Sequence, residues 1–126
     1  MKAMVVDDSR AIRLILARTL IDLGFEVSQA VSGNEALQLL PARDDQLALM
    51  LIDWNMPGMS GLEFVREVRR NPALASVALI MVTTETEIDQ MVAALEAGAN
   101  EYVMKPFTKE IITDKLRLLG LAEQPA

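Results

Sequence analysis

Two runs of six apolar residues, Leu47–Ile52 and residues 77–82, are bounded by polar or turn residues. A strand with one wet face alternates, whereas a strand covered on both faces reads as a continuous apolar run, so both segments are expected to be central strands of a parallel sheet. Three shorter segments join them: residues 3–6, ending at an acid pair; Glu26–Ala30, alternating around Val27; and residues 102–104, ending at Lys105-Pro106. Helical spacing fills the gaps: Ile12, Leu16, Thr19, Leu20 and Leu23; Ala36, Leu37 and Leu40; Leu62, Val65 and Val68; Ile88, Met91, Val92 and Leu95; Ile111, Ile112, Leu116 and Leu119. Ser32…Glu35 and Ser60…Glu63 have the capping-box pattern, and Thr86…Asp89 is a weaker relative. Gly24, Pro72, Gly98 and Gly120 mark helix ends. The pattern predicts a (βα)5 domain: a doubly wound, parallel five-stranded sheet with helices on both faces and right-handed crossovers. It occupies residues 1–120 and is followed by a short tail, 121–126. Met1 and the brief tail suit a complete chain.

Composition removes many alternatives. The 126 residues fit one domain, and they include no cysteine and no histidine. Disulfides, zinc-thiolate sites, serine–histidine or cysteine–histidine nucleophile pairs, histidine metal ligands and a phosphohistidine on this chain are therefore excluded. Twelve Lys+Arg against 18 Asp+Glu leave a net charge of -6, which opposes affinity for a nucleic-acid backbone. Six-residue apolar runs fall far short of the roughly 20 residues a membrane helix needs, and the first six residues form no secretory leader, so the expectation is a soluble, cytoplasmic protein.

In an open α/β sheet, ligands bind beyond the carboxyl ends of the strands, where strand order reverses. The first strand ends in Asp7 and Asp8, the third in Asp53, the fourth in Thr83 and Thr84, and the fifth in Lys105; the second ends in Ala30, Val31 and Ser32. With the second strand at the edge, three carboxylates, a hydroxyl and an ammonium meet on one patch. Crowded carboxylates repel one another unless a hard cation accepts their oxygens, and Mg²⁺ fits this set. Lys105 and Thr83 suit the remaining oxygens of a tetrahedral anion. The chemistry points to a phosphoryl group, with a carboxylate as nucleophile and Asp53 as the central candidate.

Asp7-Asp8, Asp53 followed by Trp54-Asn55-Met56-Pro57-Gly58, Thr83, and Lys105-Pro106-Phe107 stand in an order and spacing that resemble the receiver domains of two-component response regulators, over essentially residues 1–120. The similarity is greatest to single-domain chemotaxis regulators. The resemblance implies the flavodoxin-like strand order 2-1-3-4-5 and a cis bond between Lys105 and Pro106. It also implies that Asp53 accepts a phosphoryl group from a histidine kinase. Mg²⁺ is then ligated by Asp8, Asp53 and the backbone carbonyl of Asn55, and by Asp7 through a water. Lys105 pairs with the phosphoryl oxygens, Thr83 donates to one of them, and the ring of Tyr102 turns inward as the switch. Asn55 and Glu85 occupy positions that tune hydrolysis of the acyl phosphate. Thr86, Met91, Tyr102, Met104 and Lys115 fall on a partner face of helix 4, strand 5 and helix 5, although position 86 is commonly smaller in chemotaxis regulators. The implied partners are the kinase, a flagellar motor switch protein or another protein target, and a phosphatase, with no nucleic acid and no membrane insertion.

Two other roles are open to a stand-alone receiver: a phosphate sink, or an intermediate in a phosphorelay. A Mg²⁺-dependent aspartyl-phosphate hydrolase is a reading of another class. It needs a general acid two residues after the nucleophile, and the amide of Asn55 cannot serve as one. A flavin carrier would share the architecture, but an acid pair after the first strand would repel the cofactor's phosphate.

Overall fold

The computed structural model describes residues 1–40, 46–84 and 88–123. Their elements alternate as expected: β1 (Lys2–Val6), α1 (Arg10–Asp22), β2 (Glu26–Ala30), α2 (Gly33–Leu39), β3 (Leu47–Ile52), α3 (Gly61–Arg69), β4 (Ala78–Thr83), α4 (Ile88–Ala97), β5 (Glu101–Met104) and α5 (Lys109–Leu118). The strands form one parallel sheet in the order β2-β1-β3-β4-β5. This is the flavodoxin-like arrangement, and its order reverses between β1 and β3.

The central strands are apolar throughout because each face has its own core. Met4, Val6, Met50, Ile52, Leu79 and Met81 pack with Ala36, Phe64, Val65, Val68 and Ala94 on the side of α2, α3 and α4. Their strand neighbours Ala3, Val5, Leu49, Leu51, Ile80 and Val82 pack with Leu16, Leu20, Ile112 and Leu116 on the side of α1 and α5. Successive side chains leave opposite faces of a strand, so a strand buried on both sides needs an apolar residue at every position. At the edge, β2 buries only Ala30 and carries polar residues at Glu26, Ser28 and Gln29.

The ends differ in detail from the sequence pattern. Val77 is buried, but its N–H donates to the Leu74 carbonyl in a turn, so β4 begins at Ala78 and runs on to Thr83. Strands β1 and β5 each begin one residue earlier than the apolar pattern indicates, at Lys2 and Glu101. Leu23, Leu40 and Leu119 are C-caps. Pro72 opens a short 3-10 turn, Pro72–Leu74, after α3 has already ended. Ser32 and Ser60 cap α2 and α3 as their spacing indicates, and Ser60–Glu63 forms the full reciprocal box. Thr86 lies outside the described residues, and with it the third cap pattern. On α4 the spacing of Ile88, Val92 and Leu95 marks an apolar stripe, but these side chains are exposed and Ala94 is the buried one. A small residue lets the helix lie close to its neighbours and leaves the larger ones at the flank.

Arg69 ties the end of the molecule remote from the strand carboxyl ends. Its guanidinium donates to the Gly98 carbonyl at 3.0 Å, the Leu74 carbonyl at 3.1 Å and Asn100 Oδ1 at 3.0 Å, and that same Oδ1 accepts from Leu79 N at 2.8 Å. Burial pushes its pKa below the usual arginine value. Gly98 has φ +120°, and a Cβ there would lie 2.6 Å from Arg69 Cγ, so the clasp requires glycine twice over. Arg69→Met removes the donors from these acceptors and is expected to lower stability by about 2–3 kcal/mol, read as a lower urea midpoint.

Candidate functional site

Three of the site residues are held by backbone bonds that continue a strand ladder. Asp7 N–H donates to the Ala30 carbonyl at 3.1 Å, Asp53 N–H to the Val6 carbonyl at 2.9 Å, and Lys105 N–H to the Thr83 carbonyl at 2.8 Å. The site therefore sits on the rigid sheet although its residues lie at the loop entrances. Asp7, Asp53 and Thr83 are buried, Asp8 is exposed, and Lys105 is half-buried before a cis bond to Pro106.

The carboxylates of Asp7, Asp8 and Asp53 each offer an oxygen within 4.8 Å of the others. Lys105 Nζ lies 3.0 Å from Asp7 Oδ2 and 3.4 Å from Asp53 Oδ1, joining the two buried acids. Asp7 Oδ1 accepts from Ser9 N–H at 2.8 Å, an Asx turn that sets Ser9 as the N-cap of α1. Burial, with the neighbouring Asp7 next in weight, raises the Asp53 pKa from 3.8 to about 6, against the lowering effect of Lys105. The acids have the oxygen donors Mg²⁺ prefers, and a cation bound among them would relieve the repulsion that Lys105 offsets only in part.

The loop after Asp53 is closed by Gly61 N–H donating to the Trp54 carbonyl at 2.8 Å. A Cβ on Gly61 would lie 2.2 Å from the Asp53 carbonyl oxygen. The start of α3 thus rests directly on the backbone of the central acid. The sequence pattern does not mark Gly61 as a site residue, since Gly33 stands in the same place beside the Ser32 cap. Trp54 is buried, and Asn55 is exposed.

The remaining expected residues divide in two. Glu85 and Thr86 lie outside the described residues. Tyr102 is half-buried against the core on the α2–α4 side, beside Met81 in the sheet register. Met104 is exposed and pairs in register with Thr83, Met91 is half-buried on α4, and Lys115 on α5 bridges to Glu101 at 2.9 Å. With Ile88, Val92, Leu95 and Ile111 also exposed, α4, β5 and α5 all present apolar side chains to solvent. Among the described residues, no helix is long and apolar enough to cross a membrane.

Residues 3–117 match the family described as response regulator receiver domain. The chain is 42% identical to chemotaxis protein CheY1 of Helicobacter pylori, over 94% of this chain and 96% of that protein. It is 39% identical to chemotaxis protein CheY of Pseudomonas aeruginosa, over 92% and 93% respectively. Among solved structures, Vibrio cholerae chemotaxis protein CheY4 superposes with a TM-score of 0.84 at 36% identity, covering 93% of this chain and 96% of that one.

Proposed function

As the chain belongs to the response regulator receiver domain family, a family of signalling domains and not of classical enzymes, we propose that it is a phosphorylation-activated regulator of chemotaxis with Asp53 as its phosphoacceptor. The observation that carries this reading is the triad of acids within 4.8 Å, in which Lys105 joins Asp7 to Asp53.

In the proposed reaction an Asp53 carboxylate oxygen attacks the phosphorus of a phosphohistidine on a partner kinase. The new O–P bond forms as the P–N bond breaks, and the imidazole leaves with its electron pair and takes up a proton from solvent. Mg²⁺, when bound, supplies positive charge to the acids and to the phosphoryl oxygens. Asp8, Asp53 and the Asn55 carbonyl would hold it. Asp7 would act through a water, a role supported by the prior engagement of both its carboxylate oxygens, one by Ser9 and one by Lys105. Once Asp53 carries the phosphoryl group, Lys105 Nζ pairs with its oxygens, and Thr83, wholly buried at the end of β4, donates from its hydroxyl. That pull vacates space for the Tyr102 ring and alters the α4–β5–α5 face, where Met91, Met104, Lys115 and Thr86 would meet a flagellar motor switch protein or another target. Asn55 and Glu85 govern the access of water to the acyl phosphate, alone or with a phosphatase. The setting is the cytoplasm.

Trp54, the only tryptophan, directly follows Asp53 and reports on the site without a label. Adding Mg²⁺ and then a small acyl-phosphate donor is expected to change its emission saturably and to add about 80 Da, one phosphoryl group, to the intact mass. Both responses to the donor should be absent in Asp53→Asn. A folded wild-type chain that gains no mass would overturn the assignment.

A further inference from the structure

One cation beside the acids has no part in this scheme. Arg13, half-buried in the first turns of α1, donates from Nη1 to the Asp7 carbonyl at 2.9 Å. Every polar group of Asp7 is then engaged: its N–H by Ala30, its carbonyl by Arg13, and its two carboxylate oxygens by Ser9 N–H and Lys105 Nζ. Asp8 differs, being exposed on the far side of the same peptide bond. The Asp7 carbonyl and the Asp8 amide share one rigid plane, so a bond that fixes the carbonyl also fixes the direction in which Asp8 leaves the chain. Ser9, pinned by its Asx turn and its cap bond to Ile12 N–H, fixes the other flank of Asp8.

We propose that Arg13 is a positioning residue for the divalent cation: by holding the Asp7–Asp8 peptide from α1, it keeps the exposed Asp8 carboxylate directed at Asp53. This rests on the reading of the acids as a Mg²⁺ site. Arg13 acts on the ligand's backbone and not on the metal, in the manner of the outer groups that orient metal ligands elsewhere. Its charge works against its geometry, because a cation near the acids weakens Mg²⁺ binding by repulsion. Removing the side chain thus gives opposite signs for the two effects, which makes them separable.

The test is Mg²⁺ titration of the full chain at constant ionic strength, followed by Trp54 emission and by calorimetry, alongside urea unfolding without metal. Arg13→Met is expected to weaken Mg²⁺ binding about tenfold, at the low end of outer-group substitutions. Arg13→Lys, which retains a donor and the charge, is expected to stay within about threefold of wild type. An Arg13→Met protein that binds Mg²⁺ as well as wild type, or more tightly, overturns the proposal, whatever the urea midpoint does. If Arg13→Met does not fold, Arg13→Leu, which likewise has no donor for the Asp7 carbonyl, carries the same comparison. Asp8→Asn separates this failure from that of the site itself. Wild type that shows no Mg²⁺ response, like Asp8→Asn, overturns the metal reading and this inference with it. Wild type that binds, with Asp8→Asn deficient and Arg13→Met normal, overturns the role of Arg13 alone.

Discussion

Asp53→Asn is expected to make the metal-free protein more stable at pH 7 while abolishing its phosphorylation. In the folded chain the Asp53 pKa is raised from 3.8 to about 6, chiefly by burial and then by the charge of Asp7. Between those values the folded state holds a proton that the unfolded state has lost, so stability falls as pH rises through the window. Above about pH 6 the whole penalty is present, on the order of 3 kcal/mol, because each tenfold change in proton affinity between the folded and unfolded chain corresponds to about 1.4 kcal/mol. Asparagine matches the shape and carries no charge, and Lys105 keeps its 3.0 Å bond to Asp7. The gain should therefore be full at pH 7 and vanish below about pH 4, where aspartate is protonated in both states. Urea unfolding of both proteins at the two pH values measures it. Equal midpoints at pH 7 would show that the acid cluster is not strained. Mg²⁺ should close the gap by stabilising the wild type alone, since ligand binding to the folded state adds to its stability. Activation chemistry and folding stability would then oppose each other at one residue.

Gly61→Ala is expected to damage both the fold and the site. Of the three serine-capped helices, α2 and α3 begin with glycine at the same position, Gly33 and Gly61, and for different reasons. A Cβ on Gly33 meets Met59 Sδ at 3.0 Å, on a side chain that can swing aside, and the ring of the buried Phe64 at 3.3 Å, but no backbone atom so closely. A Cβ on Gly61 meets the Asp53 carbonyl oxygen at 2.2 Å and Trp54 Cα at 2.9 Å, both backbone atoms of the segment that carries the proposed phosphoacceptor. Relief requires α3 to move off β3 or Asp53 to leave its bond to Val6, so the loss should reach about 3 kcal/mol or more, at the upper end for overpacking. Gly33→Ala should cost less, about 1 kcal/mol, because its tight contacts are with side chains and the closest is a flexible thioether. Urea midpoints rank the two. Mg²⁺ binding should weaken in Gly61→Ala alone. A Gly61→Ala protein with both properties intact would mean that the loop tolerates displacement and does not hold Asp53 in place.

The contrast between these glycines marks the limit of what local pattern encodes. Periodicity is a local property, so the six-residue run of β3, the cap at Ser60 and the turn at Gly98 can be recognised from their neighbours alone. The acids are legible for the same reason: Asp7, Asp8 and Asp53 follow directly after apolar strands, and in a parallel sheet those ends share one edge. The pattern on α4 is equally local, and it misleads there, because Ile88, Val92 and Leu95 lie on one side of the helix and stay exposed among the described residues. Arg13 over the Asp7 carbonyl, Arg69 over Gly98 and Gly61 against Asp53 have no signature in spacing. Lys105 reaches Asp7 across 98 residues of chain. Order along the chain is enough to specify the alternation of elements, the caps and the acid-bearing strand ends. Which side chains are desolvated, which cation faces which acid and how closely α3 approaches Asp53 are set by the assembled fold, because dielectric burial and van der Waals contact depend on atoms that folding brings together and not on adjacency in the chain.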